Sequence, residues 1–409
     1  MSSEQTPAPY LNASQQHVFD NLLAIGMARP VAPDGIAGDL STYLERVTAE
    51  AVEAWTEPSL WISKSQVMTI IRCEGQAIAY RSDSGGGGIN HRTAAGIIAH
   101  KAIQIAGTFP GRPFRQYVEG AIEVTCEDDE DFATFWQTVS EARRAEMVGM
   151  ATERVAGFLD SWPPLDERWE PKFEAPLQAK IGRLTLGGRV DLSLGRARPP
   201  RQTMLLCDFK TGGIGDEHRL EAGFYALVST LRYGIPPFRS VIYSLASGEW
   251  TEPADVTADW LWEVADIVGR AVNSYVEVLT EARQPEFGPG RHCEWCPAKE
   301  TCPAADPTAQ AKPLIITSSS AAGDLAATAA GKPETAGDRE GEEAGELVGV
   351  GAGVVERRVV PAPMLTARDG DDGDDVELEE DDTPEISEPD QRQYGRASIE
   401  DFGPFTIPD

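Results

Sequence analysis

The spacing of apolar residues changes character along the chain. Up to residue 161 apolar positions recur every three to four residues, as one buried face of a helix requires. This spacing predicts helices over 13–26, 38–56, 63–80, 93–107 and 128–161. In the third of these, SKSQVMTIIRCEGQAIAY, Ser63 or Ser65 suits an N-cap, Val67, Ile70, Ile71 and Ile78 make the apolar stripe, and Cys73 falls near the middle. From residue 168 the period drops to two. RWEPKFEAPLQAKI (168–181), RLTLGGRVDLSLG (183–195) and TMLLCDFKTG (203–212) read as three successive strands of an antiparallel meander. Helical spacing returns at 219–234 and 256–283, with one more strand, FRSVIYSLA, at 238–246. Helices, three strands, helix, strand, helix is the order of an α/β fold in which a mixed central sheet is flanked by helices.

Composition divides this pattern into parts. The chain has 409 residues, 41% of them hydrophobic, enough for one large core or two modest ones. Residues 1–60 read as a helical accessory segment and 61–304 as the main globular domain. From 305 the sequence turns to Ala, Gly, Ser, Pro and acid, with runs such as DGDDGDDVELEEDD (369–382) that hold too few apolar positions to pack. A disordered acidic tail is expected over 305–409. The net charge of −30 excludes a broadly basic surface as the route to nucleic acid and favours solubility. No apolar run approaches the roughly 18 residues of a membrane span. The opening MSSEQTPAPY also lacks the basic-then-apolar layout of a signal peptide, so no membrane contact and a cytoplasmic location are expected. In that compartment six cysteines read as metal or cluster ligands before disulfides.

The chemistry concentrates at a strand end, LLCDFKTG (205–212). Alternation turns Leu205, Cys207 and Phe209 to one face and Leu206, Asp208 and Lys210 to the other, so one face is core and the other presents an acid beside a lysine. A salt bridge alone would explain that pair. The preceding strand, GRVDLSL (188–194), carries Asp191 to a place where a hairpin brings it toward Asp208. Two converging carboxylates repel unless a cation lies between them. Oxygen ligands without a dense cage suit Mg2+ or Mn2+. Lys210 would then position an attacking water or neutralise charge growing on a phosphate, which points to hydrolysis of a phosphodiester.

GRVD followed by LLCDFKTG resembles the PD-(D/E)xK nuclease core in its RecB-like form. The resemblance covers about residues 60–304 and implies a restriction-endonuclease-like core with Asp191, Asp208 and Lys210 as catalytic residues. It also implies a metal held by His100, Asp191, Asp208 and the carbonyl of Phe209, since GIIAH (96–100) matches the upstream histidine helix of that branch. Glu170 or Glu174 on the preceding strand is either a further acid of the site or part of a solvated strand face. RLEAGFYALV (219–228) takes the place of the family's Gln-x-x-x-Tyr helix, where Tyr225 matches and Glu221 replaces the glutamine. Both are candidate substrate-binding residues, and the replacement leaves open how this helix meets its substrate.

HCEWCPAKETC (292–302) supplies Cys293, Cys296 and Cys302, and Cys73 would complete a set of four. This arrangement resembles the iron-sulfur nucleases: the AddB-type subunit of helicase-nuclease complexes and the CRISPR-associated RecB-like exonucleases. Glu74 stands where that family usually has proline after the first cysteine. Four thiolates suit a [4Fe-4S] cluster, with Zn2+ as the alternative, and the group would staple the helix at 63–80 to the end of the domain. Cys126 and Cys207 fall outside the pattern and read as ordinary thiols. The implied protein is a Mg2+- or Mn2+-dependent deoxyribonuclease acting on DNA, most often an exonuclease in repair, recombination or defence. The alternative is a catalytically silent DNA-binding or assembly module partnering a helicase. The chain has no Walker-type Gly-x4-Gly-Lys-Ser/Thr, so a motor would come from another polypeptide.

Overall fold

Ser63 ends a strand and starts a helix. Its hydroxyl accepts the Gln66 N–H at 3.2 Å while the Gln66 side chain accepts the Ser63 N–H at 2.8 Å, a reciprocal cap that fixes the turn between the two elements. In the computed structural model, which describes residues 11–82 and 89–309, this junction lies on the sheet, where Ser63 is paired to Gly187. The expected tail lies outside the described residues from 310 onward, as does the glycine run at 83–88.

The helices before the sheet are α1 (Ala13–His17), continued by a π-helical turn over Val18–Leu23, and α2 (Ile36–Ala54). Strand β1 (Leu60–Ser63) leads directly into α3 (Lys64–Arg72), followed by α4 (Glu74–Ser82) and α5 (His91–Thr108). Next come α6 (Phe114–Asp128), α7 (Glu130–Thr138) and α8 (Glu141–Ser161). The second half holds β2 (Lys172–Ile181), β3 (Leu184–Leu194), β4 (Leu205–Lys210), α9 (Glu217–Tyr233), β5 (Arg239–Ser244) and α10 (Ala258–Leu279). A short 3-10 turn at Arg291–Trp295 opens the cysteine segment.

Two expected helices are broken. The helix expected over 63–80 stops at Cys73, which is extended (φ −162°, ψ 110°). The cause is tertiary: the Glu74 N–H donates to the Glu286 carbonyl, and the Glu74 carboxylate is gripped by Arg283 at 2.6 Å through both terminal nitrogens. The helix expected over 128–161 is two helices, α7 and α8, because Asp129, just past the end of α6, and Ser140 inside the pattern act as N-caps, accepting from Phe132 and Arg143 N–H groups.

The sheet is mixed, as the pattern predicts. β2 runs antiparallel along one edge of β3, from Lys172↔Ser193 to Ile181↔Leu184. The other edge of β3 is shared. β1 pairs in parallel with its beginning, Leu60↔Leu184 to Ser63↔Gly187, and β4 pairs antiparallel with its end, Leu192↔Cys207 to Leu194↔Leu205. β5 then pairs in parallel with β4. The C-terminal ends of β1 and β4 therefore approach from opposite directions toward the stretch of β3 between Gly187 and Leu192. The meander of β2, β3 and β4 is present; β1, four residues long, is a strand that the apolar pattern does not predict.

Both faces of the sheet are buried. Leu186, Val190, Leu206 and Ile242 pack under α2, α3, α9 and α10, while Leu205, Cys207, Phe209 and Tyr243 pack under α5 and α8 with Ile98, Val155, Phe158 and Trp162. The expected division of β4 into a core face and a charged face holds only at its end, since Leu206 on the charged side is buried beneath α9. No helix among the described residues is long and apolar enough to cross a membrane.

Candidate active site

The fork between β1 and β4 collects the charged side chains. Asp191 of β3 is held at both oxygens: His100 Nδ1 of α5 lies 3.1 Å from Oδ1, and the Phe209 N–H donates to Oδ2 at 2.5 Å. β4 has ceased to pair with β3 after Cys207, so the Phe209 N–H is given to a side chain instead of to the ladder. The Phe209 ring fixes this point from the opposite face, packing edge-on against Phe158, Trp162 and Tyr243 at 5.3 to 6.3 Å.

Glu174 of β2 joins Asp191 and His100 from the neighbouring strand. The three offer ligand atoms all within 4.8 Å of one another, the one such group of His, Cys, Asp or Glu side chains among the described residues. Glu174 is delivered by an unusual backbone: its φ is +49° in mid-strand, and the register passes from Phe173↔Leu192 to Ala175↔Val190 without pairing it to Asp191. A left-handed residue other than glycine costs on the order of 1–3 kcal/mol and persists only where its surroundings dictate it. Burial pushes the Glu174 carboxyl up, and the Asp191 charge adds to this, against His100, Arg189 and Lys101, to about 7. Burial lowers the His100 imidazole, but the Asp191 carboxylate outweighs it and the net direction is upward. This group is short of positive charge. One imidazole nitrogen and carboxylate oxygens fit a small divalent cation.

Asp208 has different partners. Its Oδ2 lies 2.7 Å from Lys210 Nζ and 3.0 Å from Lys64 Nζ. Glu221 Oε2 of α9 meets the same two ammonium groups, at 2.9 Å and 3.2 Å. Two lysines and two acids thus alternate around a closed ring. Burial would raise the Asp208 carboxyl, yet Lys64 and Lys210 together hold it well below the usual carboxylate range. Glu221 is held down by the same two lysines against its burial, and both lysines are raised in turn by the acids. Tyr225, one turn along α9, donates its hydroxyl to the Arg189 carbonyl at 2.7 Å, and Lys64 Nζ sits 4.9 Å over its ring.

Most of the expected site residues meet in this fork: His100, Asp191, Asp208, Phe209, Lys210, Glu221 and Tyr225. Of the two alternative acids, Glu174 lies in the site and Glu170 is engaged elsewhere, with Arg196 and Arg198 at 2.6 and 2.9 Å. Lys64 was not foreseen. It is placed by β1, whose only sequence signal is the Ser63–Gln66 cap.

The family model of the PD-(D/E)XK nuclease superfamily matches residues 62–303. The chain belongs to the PD-(D/E)XK nuclease superfamily. No curated protein matches it. Members of this superfamily are nucleases that use divalent metals, and the His100, Glu174 and Asp191 group is the acidic candidate for one here.

The same nuclease domain gathers its cysteines at the far end of α3. Burial raises the Cys296 thiol, the backbone at Ala298 opposes this, and Cys73, Cys293 and Cys302 each raise it further, so all four lie in one neighbourhood. The backbone is drawn tight there: a Cβ on Gly288 would collide with the Arg72 carbonyl, and the Cys293 N–H closes a turn onto Gly290. Cys207 is buried in the same core as Phe158, and Cys126 is a half-buried thiol on α6.

Proposed function

We propose that the protein is a Mg2+- or Mn2+-dependent deoxyribonuclease of the RecB-like branch, acting as an exonuclease on DNA, with a [4Fe-4S] cluster on Cys73, Cys293, Cys296 and Cys302. The observation that carries this reading is the meeting of His100, Glu174 and Asp191 beside the Asp208–Lys210 pair. His100, Glu174 and Asp191 would hold the divalent cation, with Asp208 and the Phe209 carbonyl adjoining. When bound, such a cation supplies Lewis-acid stabilisation of the charge that develops on the phosphate.

The remaining roles follow from this chain's own groups. Lys210 is raised by Asp208, so it stays a cation at working pH and acts as a donor, orienting water and facing phosphate charge, instead of taking a proton. Asp208 keeps that ammonium in place at 2.7 Å. Asp191, fixed by the Phe209 N–H and His100, keeps its orientation whether or not substrate is present. Because the protein is acidic as a whole and Lys64 and Lys210 are balanced by Asp208 and Glu221, the positive charge that faces DNA would come from the bound divalent cation and not from a basic surface.

What supports the cluster is the gathering of Cys73, Cys293, Cys296 and Cys302 in one neighbourhood, in an order that resembles the iron-sulfur nucleases, with zinc as the alternative for four thiolates. Anaerobically purified protein is expected to be brown, with broad absorption near about 400 nm and iron matched by sulfide. A colourless protein with one zinc per chain would refute the cluster. For the activity, end-labelled single- and double-stranded DNA with Mn2+ or Mg2+ is expected to be degraded by the wild type and not by Lys210→Ala. Intact DNA with folded, metal-loaded wild type would overturn the nuclease reading.

A further inference from the structure

The face of the sheet that packs under α5 and α8 at β4, β5 and the end of β3 stands open to solvent over the first half of β3. Paired residues of neighbouring strands project to the same side, so the register sets Trp61 of β1, Pro176, Gln178 and Lys180 of β2, and Gly187 and Arg189 of β3 on one surface. Gly187 is the one buried member of the six. The indole covers it: a Cβ on Gly187 would lie 2.5 Å from Trp61 Cη2 and 3.1 Å from Gln178 Cβ. The glycine thus removes the side chain that would lift the ring. Leu60 and Ile62 on either side of Trp61 are buried in the opposite core and fix the strand, while Trp61 itself remains 46% exposed.

A single exposed tryptophan needs no explanation. This one is seated, and its seat leads to the acidic group. From Gly187 to Asp191 is four residues of β3, about 13 Å along the strand, the span of about two to four nucleotides. Arg189 lies between them on the same face, with Nη1 3.9 Å from Glu174 Oε2. The paired positions of this face short of Glu174 hold Lys180 and Arg189 and no acid. On a chain of net charge −30 two cations flank a phosphate backbone without being enough to hold it. Stacking on an indole supplies what charge does not, it tolerates any base, and it requires that the base be unpaired.

Resting on the nuclease reading above, we infer that Trp61 is a stacking platform for one base of a single-stranded DNA, about two to four nucleotides from the bond that is cut, with Lys180 and Arg189 beside the adjoining phosphates. Trp61 binds substrate and takes no part in the chemistry. It makes an unpaired strand the preferred substrate of this site.

The test uses the full chain carrying Lys210→Ala, so that DNA stays intact, with Mn2+ and single-stranded oligonucleotides in which one 5-iodouracil is moved along the strand. Ultraviolet light is expected to join the base to Trp61 at one or two adjacent positions, read by mass spectrometry of the digested protein. Gly187→Ala, which puts a methyl into the seat of the ring, should lower that yield. An abasic residue at the crosslinking position should weaken binding about tenfold in fluorescence anisotropy. Trp61→Ala should weaken binding of the intact strand to the same degree and abolish the effect of the abasic residue, and Trp61→Phe should restore most of the affinity. With Lys210 restored, Trp61→Ala should raise KM about tenfold and leave kcat unchanged. A merely structural role for Trp61 would not make binding indifferent to the missing base. No crosslink to Trp61 at any position, or unchanged affinity in folded Trp61→Ala, would overturn the inference, and a wild type that still cleaves DNA would keep the nuclease reading. A wild type that neither binds nor cleaves DNA would remove both. Unchanged DNA affinity together with a change from dimer to monomer in sedimentation of Trp61→Ala would overturn it in favour of a second copy of the chain on this face. The crosslink uses the native Trp61 and decides the matter if Trp61→Ala does not fold.

Discussion

Replacing Glu174 by Gln removes the charge that crowds Asp191 and keeps a side chain of nearly the same shape. In the metal-free protein the Glu174 carboxyl titrates at about 7 against an ordinary value of 4.5. The folded chain therefore holds a proton that the unfolded chain has released, and stability falls as pH rises through the window from 4.5 to about 7. A tenfold change in proton affinity on folding corresponds to about 1.4 kcal/mol, which puts the loss near 3 kcal/mol for a fully enclosed group. The side chain is 27% exposed, so about 2 kcal/mol is the better figure. At about 2–4 °C per kcal/mol, Glu174→Gln should melt roughly 4–8 °C above the wild type at pH 8 in EDTA, and level with it at pH 4.5 or below. With Mn2+ the order reverses, because the ionised Glu174 becomes a ligand: the wild type gains stability by mass action and the variant gains little. Calorimetric melting of both proteins, in EDTA and in Mn2+ across this pH range, reads all four quantities. A variant less stable than wild type in EDTA at pH 8 would show that Glu174 does not crowd Asp191, and an undiminished Mn2+ shift would show that it does not bind the metal.

Lys210→Ala should lower DNA cleavage by about two orders of magnitude or more, as loss of a charge-stabilising donor does, with Mn2+ binding retained; single-turnover rates beside Mn2+ titration separate the two. Arg283→Met leaves the buried Glu74 carboxylate with its Glu286 N–H and without its ion pair, and should cost about 2–4 kcal/mol in denaturant unfolding. Gly288→Ala drives a methyl into the Arg72 carbonyl, so iron content per chain should fall along with a stability loss of about 1–3 kcal/mol. An unchanged iron content in folded Gly288→Ala would argue that this close approach has no part in assembling the cysteine site.

The parts of the site that could be read in the sequence are those set by local periodicity. Alternation places Asp208 and Lys210 on one side of β4 and the hairpin brings Asp191 beside them, and the structure has both. Lys64 could not be read, because it reaches the fork through β1, and a four-residue strand leaves too little alternation to be seen beside the helix that follows. Glu174 was left undecided between site and solvent because its left-handed backbone re-aims it, and no period describes a residue that departs from its own strand. The break at Cys73 was hidden for the opposite reason. Val67 and Ile70 before it and Ala77 and Ile78 after it pack on the same core, so the apolar stripe runs through a point where the helix does not.

That break connects the two halves of the molecule's chemistry. α3 begins at Lys64 in the charge ring and ends at Cys73 among the thiols, nine residues or about 13 Å apart. So short a helix has little stability of its own and keeps its place only through what holds its ends. The first end is held by the Ser63–Gln66 cap and the pairing of β1, the second by the Cys73 junction. At the second end two fastenings act in parallel: the proposed cluster on the four cysteines, and the Glu74–Arg283 pair with the Glu286 N–H, which needs no metal. Glu74 stands where the resemblance to the iron-sulfur nucleases would lead one to expect proline, and a proline could supply neither the carboxylate nor the N–H that Glu286 receives. The ion pair would thus hold this end of α3 without the proposed cluster, and α3 in turn carries Lys64 to Asp208 and Glu221.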